Sequence, residues 1–265
     1  GSFKLGRGRY RCWKKHGHGT LNLHDALVQS CDVYFYTLGN RIGIDTLAYY
    51  AKKFGLGAPT GLGLNREKSG LVPTTQWKLK NRKQSWLLGE TISAAIGQGY
   101  NLVTPLQQAN MMAAVANGGM LLKPYLVKRI EKPEGKVLKE FFPKIKGKIS
   151  GSSENLDIIR KALRDVVNGP KGTGKKAKLE NIVVSGKTGT VQVVRMKTKK
   201  GLKRENVPYN HRDHAWFVGF APYKKPEIAV AVLIEHGGHG GATAAPIAKK
   251  IIKKYFQLYP PKPAA

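Results

Sequence analysis

Lys187-Thr188-Gly189-Thr190 puts an ammonium, two short hydroxyls and an unobstructed stretch of backbone into four consecutive residues. The β-branched residues on either side, Ile182-Val183-Val184 and Val191, Val193 and Val194, predict a strand. Gly186 and Gly189 remove side chains that would keep a ligand backbone at a distance. Such a strand can bind an extended peptide. Lys187 would supply charge to a carboxylate or to a proton network, and Thr188 and Thr190 would supply stiff hydroxyl donors. Far upstream, Ser30-Cys31-Asp32 follows a helix-like stretch at 21–29 and precedes the apolar run Val33-Tyr34-Phe35-Tyr36. A third constellation is Cys12, His18 and Cys31, spaced Cys-x5-His-x12-Cys, with His16 and His24 nearby. Two thiolates and an imidazole at such spacing suit tetrahedral zinc. The alternatives to zinc are a disulfide between the two cysteines and two free buried thiols.

The elements that must position these groups are legible from periodicity. Apolar residues Ile44, Leu47, Ala48, Ala51 and Phe54 predict an amphipathic helix stopped at Gly55-Leu56-Gly57. Thr104 as N-cap and Pro105 at the first helical position open a helix through Ala116, closed by Asn117-Gly118-Gly119. A third helix is predicted at 154–168, with Leu156, Ile159, Leu163, Val166 and Val167 inward, and a basic, glycine-containing loop at 171–178 leads to the Lys-Thr-Gly strand. After a polar, basic connection at 195–211 come strands at 214–220 and 227–235, whose short link predicts an antiparallel hairpin. A closing helix is predicted at 246–257. His211 and His214 read as loop histidines, and His236-Gly237-Gly238-His239-Gly240-Gly241 reads as a turn despite its look of a metal tract. The layout is α+β, a helical subdomain at about 20–119 against a sheet subdomain at about 120–262, with a cleft between them. Residues 58–95 and 120–150 show no identifiable chemistry.

The 265 residues, 41% hydrophobic, suffice for one large core or two interleaved subdomains. The formal charge is +30. Nucleic acid is the first partner such a charge suggests, but no basic helix, zinc-finger spacing or aromatic-studded sheet signature accompanies it, so nucleic acid is not expected as a partner. A solvated basic surface, or one facing acidic lipid or wall polymer, accounts for it. No apolar run approaches the roughly 20 residues of a membrane span.

Taken together, Arg9-Tyr10-Arg11-Cys12-Trp13, Gly17-His18-Gly19, Ser30-Cys31-Asp32, Ile96-Gly97-Gln98-Gly99, Thr104-Pro105-Leu106-Gln107, Ala116-Asn117-Gly118-Gly119, Lys187-Thr188-Gly189 and Ala215-Trp216-Phe217-Val218-Gly219-Phe220 resemble, in order, the blocks of the transpeptidase domain of class B penicillin-binding proteins, specifically the branch that serves rod-shape elongation. The resemblance covers nearly the whole chain. It implies a penicillin-recognising, β-lactamase/transpeptidase-like fold in which an antiparallel sheet packs with helices beside a helical subdomain, spanning residues 3–262, with Gly1-Ser2 as a remnant of cloning. The implied activity is a serine-type peptidoglycan D,D-transpeptidase that cross-links stem pentapeptides and binds β-lactam antibiotics.

On that resemblance the catalytic residues are Ser30, the proton relay to the leaving amine, Lys187, which shares its hydrogen-bond network, and Asp32, which holds the adjoining position with its charge compensated by Lys187; Thr188, Gly189 and Thr190 bind substrate, and the Thr190 N–H is half of an oxyanion hole. Asp32 stands where the wider family has Asn. No cofactor is implied for catalysis; Cys12, His18 and Cys31 are implied ligands of a structural zinc, with a fourth ligand upstream of Gly1. The implied partners are the elongation machinery's glycan polymerase and its activator, and the membrane through an N-terminal anchor, at the periplasmic face of the inner membrane. The family's Ser-x-x-Lys nucleophile motif is missing, since no serine here has a lysine three residues on. The chain is therefore expected to be a piece of such an enzyme, inert in acyl transfer alone. The competing readings are a class D-like β-lactamase or sensor and a non-catalytic module that binds wall peptides or partners.

Overall fold

The computed structural model describes residues 1–149, 151–194 and 206–260. Most of the basic connection predicted at 195–211, and the last two positions of the expected domain, 261 and 262, lie outside the described residues. The chain opens with a hairpin that the sequence reading passed over, β1 (Ser2–Leu5) paired antiparallel with β2 (Gly8–Arg11). Helix α1 (Leu23–Val28) is capped by Asn22, whose side chain accepts the Asp25 N–H at 2.8 Å. Helix α2 (Asp32–Lys53) starts immediately after the Ser30 turn. It breaks at Gly43, whose φ of 76° and ψ of 165° are not helical, so the predicted helix at 44–54 is its second half. Gly55, at φ +85°, supplies the expected stop.

Two short helices, α3 (Thr75–Arg82) and α4 (Leu88–Ala94), occupy the stretch without assigned chemistry. They are tied by a buried ion pair in which Lys78 Nζ meets both Glu90 carboxylate oxygens, at 2.6 and 2.7 Å. Helix α5 (Pro105–Ala116) begins as predicted. Thr104 Oγ1 accepts from Gln107 N, and the Gln107 side chain accepts from Thr104 N. Two minor ribbons follow, β3 (Met120–Lys123) with β6 (Lys144–Lys148), and β4 (Arg129–Glu131) with β5 (Val137–Glu140).

Helix α6 (Ser153–Asn168) and strands β7 (Ser185–Val191), β8 (His214–Ala221) and β9 (Ile228–Ile234) build the half that carries the Lys-Thr-Gly segment. The sheet is antiparallel in the order β7-β8-β9, with β7 at one edge. Strand alternation splits β8 between two cores. Ala215, Phe217 and Ala221 join a cluster with Ala244, Ala248 and Ile252, and Phe220 joins Met112, Val115 and Leu163 of α5 and α6. Helix α7 (Gly240–Leu258) thus covers one face of the sheet, and α5 with α6 covers the other. Helices of the early and late halves share the sheet, an α+β architecture with antiparallel strands.

One boundary is corrected. The closing helix starts at Gly240, six residues before Pro246, which lies inside it. Proline is usually found at a helix start, and that prior misplaced the boundary. The actual start is set by close packing: a Cβ on Gly240 would stand 2.2 Å from the Trp216 carbonyl oxygen and 2.3 Å from that of Gly189. Only glycine lets this helix terminus approach the β7–β8 pair.

Candidate active site

Ser30 lies in the turn between α1 and α2 with φ +51°, a left-handed conformation uncommon outside glycine. Trp13 fixes that turn. Its indole Nε1 donates to the carbonyls of Ser30 at 2.9 Å and Gln29 at 3.1 Å, and its backbone N–H donates to Asp32 Oδ2 at 2.9 Å. Facing that turn, β7 presents Lys187, whose Nζ donates to Ser30 Oγ and, at 3.0 Å, to the Thr188 carbonyl. The two motifs identified in sequence therefore meet through side chains.

Burial lowers the Lys187 pKa from the ordinary 10.5 to about 8, the nearby Asp32 charge opposing the fall. Lys187 can then lose and regain a proton near neutral pH. Burial also pushes the Asp32 carboxyl above its usual range, against the pull of the Trp13 N–H, Cys12 and Lys187. Asp32 thus acts on Lys187 through its charge, while its carboxylate binds Trp13.

Thr188 Oγ1 lies 2.9 Å from Thr173 Oγ1, and Thr190 Oγ1 accepts the Gly240 N–H at 3.4 Å. Gly189 lies beneath the start of α7, where a Cβ would come within 3.2 Å of Trp216 Cβ. The outer edge of β7 is engaged by Gln98. Its Nε2 donates to the Thr190 carbonyl at 3.0 Å, and its Oε1 accepts the Gln192 N–H at 3.3 Å. In an antiparallel ladder a residue's N–H and C=O point the same way, so the Thr190 N–H faces this outer edge as well.

Sequence reasoning missed three residues here: Trp13, Gln98 and Thr173. Gln98 had a signal, standing between Gly97 and Gly99, both at positive φ. Thr173 had a comparable one in Gly172-Thr173-Gly174.

Cys12, His18 and Cys31 also converge, each offering one ligand atom within 4.8 Å of the others. Cys12 Sγ and His18 Nδ1 are 3.6 Å apart, and both thiols are buried and free rather than paired as a disulfide. Burial, reinforced by Lys14, lowers the His18 pKa, a shift in favour of the neutral imidazole. Burial pushes the Cys31 thiol up, and Cys12 adds to this. His18 Nε2 is buried without a hydrogen-bond partner among the described residues. Crowded soft donors with a neutral imidazole fit a zinc ion.

Of the remaining histidines, His214, the first residue of β8 rather than a loop residue, His236 and His239 serve the turn before α7. His214 Nδ1 accepts the His236 N–H at 2.9 Å, His236 has φ +54°, and His239 is the N-cap of α7. No helix among the described residues is long and apolar enough to cross a membrane.

Comparison with known proteins adds an independent line. The family profile described as the penicillin binding protein transpeptidase domain matches residues 2–253. The chain is 39% identical over 254 residues to the peptidoglycan D,D-transpeptidase MrdA of Haemophilus influenzae, covering 94% of this chain and 38% of that protein. It is 40% identical over 243 residues to MrdA of Acinetobacter baumannii, covering 92% and 36%. The chain thus spans about two fifths of the length of these curated relatives. Among solved structures, the complex between penicillin-binding protein PBP2 and MreC from Helicobacter pylori superposes with a TM-score of 0.82 at 33% identity, covering 97% of this chain and 44% of that one. Pseudomonas aeruginosa PBP2 in complex with WCK 5153 gives 0.81 at 36% identity, covering 97% and 52%.

Proposed function

The chain belongs to the penicillin-binding protein transpeptidase family, and on that premise we propose that it forms the sheet-and-cleft part of a peptidoglycan D,D-transpeptidase of the PBP2 kind. The observation that carries the reading is the Lys187–Ser30 hydrogen bond, which unites the family's two recognisable motifs in one site. Because no serine among the 265 residues has a lysine three positions on, the acylated serine is assigned to sequence outside residues 1–265, and these residues alone are inert in acyl transfer.

In the proposed mechanism that serine passes its proton to the lysine of its own Ser-x-x-Lys motif, attacks the penultimate D-Ala carbonyl of a stem pentapeptide and forms an acyl ester as the bond to the terminal D-Ala breaks. Lys187 hands a proton through Ser30 to the nitrogen of the departing D-Ala, and an amine of a neighbouring stem then takes the acyl group. Asp32 tunes Lys187 by charge. Thr188 and Thr190 hold the terminal carboxylate, Gly189 leaves room for it, and the Thr190 N–H stabilises the oxyanion. β-Lactams acylate the same serine. Cys12, His18 and Cys31 hold a structural zinc at the base of the Ser30 turn, which would link the segment before α1 to the start of α2. The native protein is assigned to the periplasmic face of the inner membrane, held by an N-terminal anchor. It would work there with the elongation machinery's glycan polymerase and its activator.

The test is release of D-Ala from a pentapeptide ending in D-Ala-D-Ala, with a D-amino acid as acceptor, by the full-length native protein and its Lys187→Met variant. The expected result is acceptor-linked product from the first and a loss of about a hundredfold or more in the second. Absence of product from a folded full-length protein would remove the transpeptidase reading.

A further inference from the structure

Thr173 is held where two motifs meet, although it belongs to neither. Its loop is pinned to the end of α6 by the Gly174 N–H, which donates to the Val166 carbonyl at 2.8 Å. The flanking glycine is required for that approach, since a Cβ on Gly172 would stand 2.2 Å from the Val166 carbonyl oxygen. On the opposite side, a Cβ on Gly241 at the start of α7 would stand 2.5 Å from the Thr173 carbonyl oxygen. Thr173 is thus wedged between α6 and α7, and its hydroxyl has little freedom of place. That hydroxyl lies 2.9 Å from Thr188 Oγ1 and 3.5 Å from Ser30 Oγ.

The donor inventory gives this cluster a direction. An ammonium can only donate, so Ser30 Oγ accepts from Lys187 Nζ. The Ser30 proton is then free to point to Thr173 Oγ1, the Thr173 proton to Thr188 Oγ1, and the Thr188 proton onward into the cleft. A chain of hydroxyls polarised from one end strengthens along its length. Resting on the transpeptidase reading above, we propose that Thr173 is a positioning residue that passes the donor orientation of Lys187 through Ser30 to Thr188, so that Thr188 meets its ligand as a donor and the site selects an anionic carboxylate. Without Thr173 the Thr188 hydroxyl could rotate and accept instead, and that selection would weaken.

The experiment compares acylation of the full-length native protein by a penicillin and by the methyl ester of the same penicillin, using wild type, Thr173→Val and Thr173→Ser, with thermal unfolding of each. Valine keeps the branched shape and removes the hydroxyl, whereas serine restores it. The expected result is a free-acid to ester rate ratio about tenfold lower in Thr173→Val, the worth of one hydrogen bond, and close to wild type in Thr173→Ser. The proposal is overturned if Thr173→Val keeps the wild-type ratio, or if the ratio falls equally in both variants, which would point to packing. A wild-type protein that reacts with neither compound overturns the transpeptidase reading and this inference with it. Reaction of wild type with an unchanged ratio in Thr173→Val overturns the inference alone.

Discussion

Lys187 on the edge strand β7 and Ser30 in the turn before α2, 157 positions apart in the chain, are joined by a hydrogen bond from the lysine ammonium to the serine hydroxyl. The consequence is energetic as well as chemical. Below pH 8 the folded protein keeps Lys187 charged in a partly dry cleft, and between 8 and the ordinary 10.5 the folded state releases that proton while the unfolded chain retains it. The unfolded state then binds more protons, so stability rises with pH across this window. Wild type should therefore gain relative to Lys187→Met between pH 8 and 10.5, by on the order of 2 kcal/mol after allowance for solvent screening. Urea unfolding of both proteins across that range measures it, and parallel pH profiles would contradict the burial of this charge.

The ties between α1 and α6 should fail in acid. Asp165 accepts from Arg164 at 2.8 and 3.2 Å and meets His24 Nε2 at 3.0 Å. Arg164, followed by His24, holds the Asp165 carboxyl below the usual carboxylate range. A depressed carboxylate contributes stability above its unfolded pKa of about 3.9 and loses it as pH falls through the folded value. Asp165→Asn should cost about 1 kcal/mol at pH 7, with the difference from wild type vanishing as the pH drops below about 4. Acid titration of unfolding free energy for both proteins provides the check.

Gly240→Ala should act on the cleft through backbone collision. The added Cβ would fall 2.2 and 2.3 Å from the carbonyl oxygens of Trp216 and Gly189, neither of which can rotate aside. A loss of about 1–3 kcal/mol is expected, together with slower β-lactam acylation in the full-length protein because β7 is displaced. Alanine at Gly118, in a turn with φ +84° where an added Cβ would meet nothing within 4 Å, would produce strain without this collision and serves as the comparison.

If Cys12, His18 and Cys31 hold zinc, protein purified without chelator should carry about one equivalent, and Cys31→Ser or His18→Ala should carry far less. Metal analysis beside thermal unfolding decides this. Wild-type protein with less than a tenth of an equivalent and an unfolding temperature insensitive to chelator would remove the metal.

The parts of this structure written in local pattern were legible in the sequence. Thr104-Pro105 placed α5, the apolar period placed α6, and apolar runs joined by a short link placed β8 and β9, while β7 is shorter than the β-branched run at 182–194 suggested and ends at Val191. The first half of α2 was obscured because Val33-Tyr34-Phe35-Tyr36 is a continuous apolar run, in which period cannot separate helix from strand. The start of α7 was hidden because its first residues are glycines, chosen for contact with Trp216 and Gly189 rather than for helix propensity. Of the site, Ser30 and Lys187 could be found from motif order. Trp13 and Gln98 stood in recognisable blocks and Thr173 between two glycines, but their roles were hidden because they depend on which distant group each reaches: the Ser30 carbonyl for Trp13, the Thr190 carbonyl for Gln98 and the Thr188 hydroxyl for Thr173.

Whether the acylated serine lies outside this chain is decided by the intact mass of the folded full-length protein after incubation with a penicillin, beside that of residues 1–265 alone. One penicillin adduct is expected on the full-length protein, on a serine outside these residues, and none on the 265-residue chain. No adduct on the full-length protein, or an adduct on Ser30 of the shorter chain, would contradict this assignment.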